Sequence, residues 1–190
     1  MAPVGTLIGS NSHLEYIARL KKQKETEGGR LPGFGDFVEI ASEGILAVGV
    51  VFDTRIFNPE IAGAGQRIGS QPAFAANVGE AAGETGHLLG VFVIGFRKEE
   101  SGAYEQQPPK FVLPHGSEVR LMAEERFREF HSADGGVRVT YTGKVLKHAG
   151  ILGQPLMQAI LRRLGDAFGR RQAPALSLIE RSIAWRESGI

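Results

Sequence analysis

Apolar and polar residues alternate along much of the first 120 positions, the period-two pattern of strands with one buried face. Residues 4–10 are short, apolar and Gly-bounded. In 13–20, Leu14, Tyr16, Ala18 and Leu20 share a face. Leu14, Ile17 and Ala18 could also be wound into a helix, but the Gly9-Ser10-Asn11-Ser12 turn favours a hairpin return. Leu31-Pro32-Gly33-Phe34-Gly35-Asp36 joins a fixed φ to two permissive glycines, and so reads as a turn that launches the strand Phe37-Val38-Glu39-Ile40. Gly44 then leads into 45–56, which is too apolar for an edge and is expected inside a closed sheet. The pattern resumes over 87–96 and, after a Pro114-His115-Gly116-Ser117 turn, over 118–122. Phe34, Phe37, Phe92 and Phe96 read as core.

Three polar stretches interrupt these strands. Residues 21–30 form a solvated tip in which Lys21, Lys22, Lys24 and Arg30 outnumber Glu25 and Glu27. Residues 58–86 are rich in Gly and Ala and contain Pro59 and Pro72; a loop with one helical turn near 73–77 is expected there. Residues 99–110 form a second polar loop.

From Ala123 the period lengthens. Residues 124–131 make two helical turns with Phe127 and Phe130 on one side. Asp134-Gly135-Gly136 stops them, and 137–141 alternate once more as a strand. After Gly153 the pattern is helical: Pro155 suits a first helical position, Leu156, Ile160, Leu161, Leu164 and Phe168 recur at helical spacing, and Gly169 stops the run. Pro174 opens another helix with Leu176, Ile179 and Ile183 on one face and Trp185 near its end.

Composition narrows the class of object. A chain of 190 residues is expected to form one domain with an appendage and to bury a sufficient core. No cysteine is present, which excludes disulfides, thiolate metal sites and a cysteine nucleophile. The net charge of +1 gives no global field to gather nucleic acid or acidic lipid. It is unevenly spread, however: +5 from residue 142 onward and −4 before it. No stretch approaches a transmembrane span and the first residues do not form a secretory signal, so the expected compartment is the cytoplasm, with no membrane partner.

Motifs for chemistry fail one by one. Gly143-Lys144 lacks the rest of a phosphate-binding loop, with Arg138 where the first glycine belongs and Val145 where a hydroxyl belongs. Gly63-Ala64-Gly65-Gln66-Arg67-Ile68-Gly69 misses the dinucleotide fingerprint by one residue and lacks its strand–helix context. His13, His87, His115, His131 and His148 stand apart from one another, and no Ser occupies a nucleophile elbow. No cofactor and no small-molecule substrate are expected. What does stand out is a set of cations on the penultimate helix, Arg162, Arg163, Arg170 and Arg171. Of these, 163, 170 and 171 are expected to form a stripe opposite Leu156, Ile160 and Leu164. Such a stripe either contacts phosphates or pairs with acidic residues of the β body, and charge balance favours pairing. Trp185 is a packing anchor or a partner contact.

The order of motifs resembles a known family. Val4-Gly5-Thr6-Leu7-Ile8-Gly9-Ser10-Asn11-Ser12, the return strand 13–20, Gly35-Asp36-Phe37-Val38-Glu39-Ile40 and the strand from Gly44 to Val51 are similar to the opening of the HerA–ATP synthase (HAS) barrel. Ile94-Gly95-Phe96, Gln107-Pro108-Pro109 and 114–119 further resemble free-standing members of that family. The resemblance implies a mainly β chain: a small, closed, Greek-key-like barrel over 1–122 with an insertion at 57–86, then a mixed and finally helical basic extension over 123–190. It also implies self-association or docking to a separate ATPase or nuclease. Since no ATPase follows here, the expected function is a non-catalytic interaction module. The alternatives are a nucleic-acid-binding barrel using the basic helix, and an enzyme holding a cofactor in the long loop.

Overall fold

The computed structural model describes residues 2–21, 30–57, 86–133, 136–169 and 173–187. Strands β1 (Gly5–Ser10) and β2 (Glu15–Leu20) form a hairpin. Its turn is set by Ser12, whose Oγ accepts the backbone N–H groups of Leu14 and Glu15 at 3.2 Å each. β3 (Phe37–Ser42) and β4 (Ile45–Phe57) are joined by Glu43-Gly44, where a φ of 70° at Gly44 gives the tight reversal a two-residue loop demands. β5 (Gly86–Lys98) continues antiparallel along all of β4. The short β6 (Tyr104–Glu105) lies against the end of β5, and β7 (Glu118–Leu121) fits between β1 and β3.

The sheet closes because β2 also pairs with β5, from Glu15 opposite Phe92 to Arg19 opposite Leu88. Round the barrel the order is β1-β2-β5-β4-β3-β7, six antiparallel strands in which β2 returns beside β5 as a Greek key. Closure removes the free edges that would otherwise template further strand pairing. Two irregularities in the β4–β5 ladder, an extra residue at Ile94 of β5 and one at Phe52 of β4, bend these long strands into the wall.

Alternation then sorts the side chains. Val38, Ile40, Ala47, Val51, Leu89, Val91, Val93 and Val119 fill the interior with Leu7 and Tyr16. Phe37, Val48, Val50, Phe92 and Ile94 point outward from β3, β4 and β5. The helices cover that outward face. They are α1 (Glu124–His131), α2 (Thr142–His148), α3 (Gly153–Phe168) and α4 (Ala173–Glu187), with the minor ribbon β8 (Ser132–Ala133) and β9 (Gly136–Val137) after α1. Phe127 and Phe130 of α1 and Leu156, Ile160 and Leu164 of α3 are fully buried against it. No helix among the described residues is long and apolar enough to cross a membrane.

Some elements differ from their expected form. Of the strand expected over 137–141, only Val137 lies in a paired strand, β9. Gln106 explains the break: its Nε2 donates to the Arg138 carbonyl at 2.8 Å, and its Oε1 accepts Thr140 N–H at 2.8 Å. A side chain thus takes the backbone groups that a ladder would use. The helix α2 was not expected at all, because Gly143 and two lysines dilute its apolar face to Val145 and Leu146. Pro155 is the third residue of α3 rather than the first, since Gly153 and Gln154 are already helical. Phe34, read as core, is 42% exposed on its turn. The expected helical turn near 73–77 and the Gly63–Gly69 match lie outside the described residues, as does most of the 21–30 tip.

Candidate docking groove on the helical layer

Helices α2 and α3 meet at a tight corner. Gly153 permits it: a Cβ there would sit 3.1 Å from Leu146 Cα, inside normal contact. Gly150, at φ 54°, turns the chain into the single 3-10 turn Gly150–Leu152. The corner lifts Ile151 out of the protein, and that side chain is 95% exposed.

Beside the corner runs a two-lobed groove. One lobe, about 410 Å³, lies between α3 and α4 and is lined by Gln154, Gln158, Leu161 and Arg162 from α3 with Glu180 and Ile183 from α4. The other, about 600 Å³, is lined by Gly143, Leu146, Lys147, Gly150, Ile151, Gln154 and Ile183. Gln154 and Ile183 line both lobes, so the two adjoin. Gln154, Gln158 and Arg162 are all exposed and stand at successive four-residue steps, so they form one wall of α3. Lys147 and Arg162 supply positive charge and Glu180 negative charge, and none of the three makes an ion pair among the described residues. An apolar floor with charged rims is the chemistry of recognition.

Arg163 does not take the place expected for it, opposite Leu156, Ile160 and Leu164. Arg163 is two turns on from Leu156, and at 3.6 residues per turn that places it beside the core-facing row, not opposite it. Its side chain is 23% exposed. The guanidinium lies over the Phe127 ring at 4.3 Å and the Phe37 ring at 5.4 Å, and reaches Asp36 and Glu124 at 3.7 Å each. Asp36 is in turn held by Arg30 through two bonds of 2.7 and 2.8 Å and by Gly33 N–H at 2.7 Å. Arg163 therefore pairs with acidic groups of the β body and of α1 and clamps α3 to both. Arg162, its neighbour, faces the groove. Arg170, Arg171 and the Trp185 side chain lie outside the described residues.

Two buried polar groupings also lie in the helical layer. His131 Nδ1 sits 2.8 Å from the Phe127 carbonyl, which can only accept, so Nδ1 carries the proton; Nε2 then accepts the Tyr141 hydroxyl at 2.7 Å. Burial lowers the His131 pKa to about 3, with Arg163 and Arg138 adding repulsion, and burial raises that of Tyr141. Both side chains are wholly buried, so the pair ties α1 to the start of α2 and does not meet solvent. Glu39, outward on β3, accepts from Arg126 of α1 at 2.8 Å. Burial raises its pKa against the pull of Arg126 and Arg97. Its Oε1 has no hydrogen-bond partner, and nearby Tyr104 is pushed up to about 12, chiefly by burial. Among the described residues no three metal-ligating side chains come together.

Sequence reasoning placed Arg162 in this region but missed Ile151, Lys147, Gln154, Gln158 and Glu180. The Gly150–Gly153 bracket around two apolar residues was the available signal of a sharp helical corner.

The chain belongs to the family described as Domain of unknown function (DUF8166), which matches it over residues 1–190. No curated protein matches it.

Proposed function

We propose that this protein is a non-catalytic interaction and assembly module, a closed barrel that carries a helical docking surface. The observation that carries this reading is the groove itself: an apolar floor, charges of both signs on its walls that form no ion pair among the described residues, and an almost fully exposed isoleucine at its margin. The HAS-barrel resemblance of the opening strands supports the same role, and through it a self-associating or ATPase- or nuclease-docking protein. The compartment we propose is the cytoplasm. The nucleic-acid alternative retains Arg162, but the geometry of Arg163, held between two rings and two carboxylates, takes one cation from it.

A photo-crosslinking residue at Gln158, exposed on the groove wall, tests the reading in extracts of the source cells. Adducts with polypeptide are expected. Adducts confined to nucleic acid, or none, would overturn it.

A further inference from the structure

We infer that the occupant of the groove is a second copy of this chain, arranged about a two-fold axis so that Ile151 of each protomer enters the groove of the other. This inference rests on the docking reading above and names its partner. An isologous interface requires the projecting part and the receiving part on one patch of surface. Both are here: Ile151 stands at the margin of the lobe floored by Leu146 and Ile183. The projection is rigid, since a β-branched side chain on a 3-10 turn has few rotamers to lose on docking. The receiving surface has room, since the lobe beside Ile151 encloses about 600 Å³.

Charge points to the same occupant. Lys147 and Arg162 stand on the α2 and α3 walls and Glu180 on the α4 wall. A two-fold axis running lengthwise along the groove floor, between the α3 and α4 walls, sets the Arg162 wall of each protomer against the Glu180 wall of the other. A surface that holds its own projection, its own recess and both signs of charge is complementary to itself.

Light scattering on size-exclusion fractions, across roughly 1–100 μM, where dimers of modest affinity dissociate, provides the test. The full chain is expected to form a dimer. Ile151→Glu, at a fully exposed position, should leave the circular dichroism spectrum unchanged and weaken the dimer by at least roughly tenfold, as removal of a central apolar anchor does. Arg162→Glu and Glu180→Lys should each weaken it, and an equimolar mixture of those two variants should restore it, because each mixed contact again pairs opposite charges. A chain that stays monomeric throughout the range, or a dimer indifferent to all three substitutions, would overturn the inference. With the Gln158 crosslinker, adducts to a different polypeptide and none between copies would overturn the second copy while leaving the docking role standing; no polypeptide adducts at all would remove both.

Discussion

The two cores of this protein share the strands β3, β4 and β5 but solve different packing problems. Inside the barrel nearly every side chain is aliphatic, mostly Val, Ile, Leu and Ala, with Tyr16 the large exception. Six strands enclose a narrow bore, and small branched side chains fill it without leaving polar atoms to satisfy. On the outer face the gap is set by a helix resting on a sheet, and rings fill it: Phe37 meets Phe127 edge-on at 4.8 Å, and Phe130 stacks near Tyr141 at 6.2 Å. That layer also admits polar groups, with His131, Gln106, Glu39 and Arg163 all bonded or stacked within it. The inner core specifies a closed cylinder; the outer one fixes where the helices, and hence the groove, sit upon it.

Truncation should separate the two cores most sharply. Phe127→Ala removes a ring that contacts Phe37, His131 and the Arg163 guanidinium at once. It is expected to cost about 3–5 kcal/mol in urea unfolding, the range for emptying a buried phenylalanine site. Val91→Ala, inside the barrel, deletes two methyl groups and should cost about 2 kcal/mol. If the two losses are equal, the aromatic layer does not carry the weight its packing implies.

Acid should act on the outer core selectively. His131 stays neutral in the fold down to about pH 3, whereas in the unfolded chain it takes a proton near 6.5. Between those values the unfolded state binds the extra proton, so stability declines as pH falls through the window. From pH 7 to pH 5 the loss assigned to this residue is about 2 kcal/mol. Glu39 acts in the opposite sense: its raised pKa favours the fold at low pH, and that favour fades as pH climbs above the usual carboxylate range. His131→Gln, which can still accept from Tyr141, isolates the first contribution. Its unfolding free energy should fall less than the parent's over the same interval, by that amount. Equal slopes would mean that His131 protonates without disturbing the core.

The same contrast decides what could be read without coordinates. Period two finds the barrel because its interior tolerates one kind of residue, and the closing strand 118–121 shows the same alternation as the first. Phe127 and Phe130 were visible for a similar reason, as a helical pair on one side. The segment 138–141 was not, since its conformation is dictated by Gln106, more than thirty residues away, whose side chain also bonds the Phe130 carbonyl. The groove was hidden for the converse reason. Exposed glutamines and a lone isoleucine carry no periodic signal, and only the corner at Gly150–Gly153 brings α2, α3 and α4 alongside one another.

Arg162 and Arg163 reduce the comparison to adjacent positions and the smallest expected effects. Arg163 belongs to the outer core: its flat cation covers two phenyl rings while Asp36 and Glu124 stand at 3.7 Å, too long for strong hydrogen bonds. Stacking therefore outweighs pairing, and Arg163→Ala should destabilise the fold by about 1–2 kcal/mol. Arg163→Lys should recover little of this, because a compact ammonium cannot lie against the rings as a guanidinium plane does. Arg162 belongs to the groove, so Arg162→Ala should change unfolding by no more than about 0.5 kcal/mol. Its effect should appear in self-association instead, where Arg163→Ala at a temperature that keeps it folded changes nothing. Two neighbouring arginines would then report on two different properties, one on how the helices are held and the other on what they meet. The reverse pattern would move the interacting face to the Asp36 side of α3.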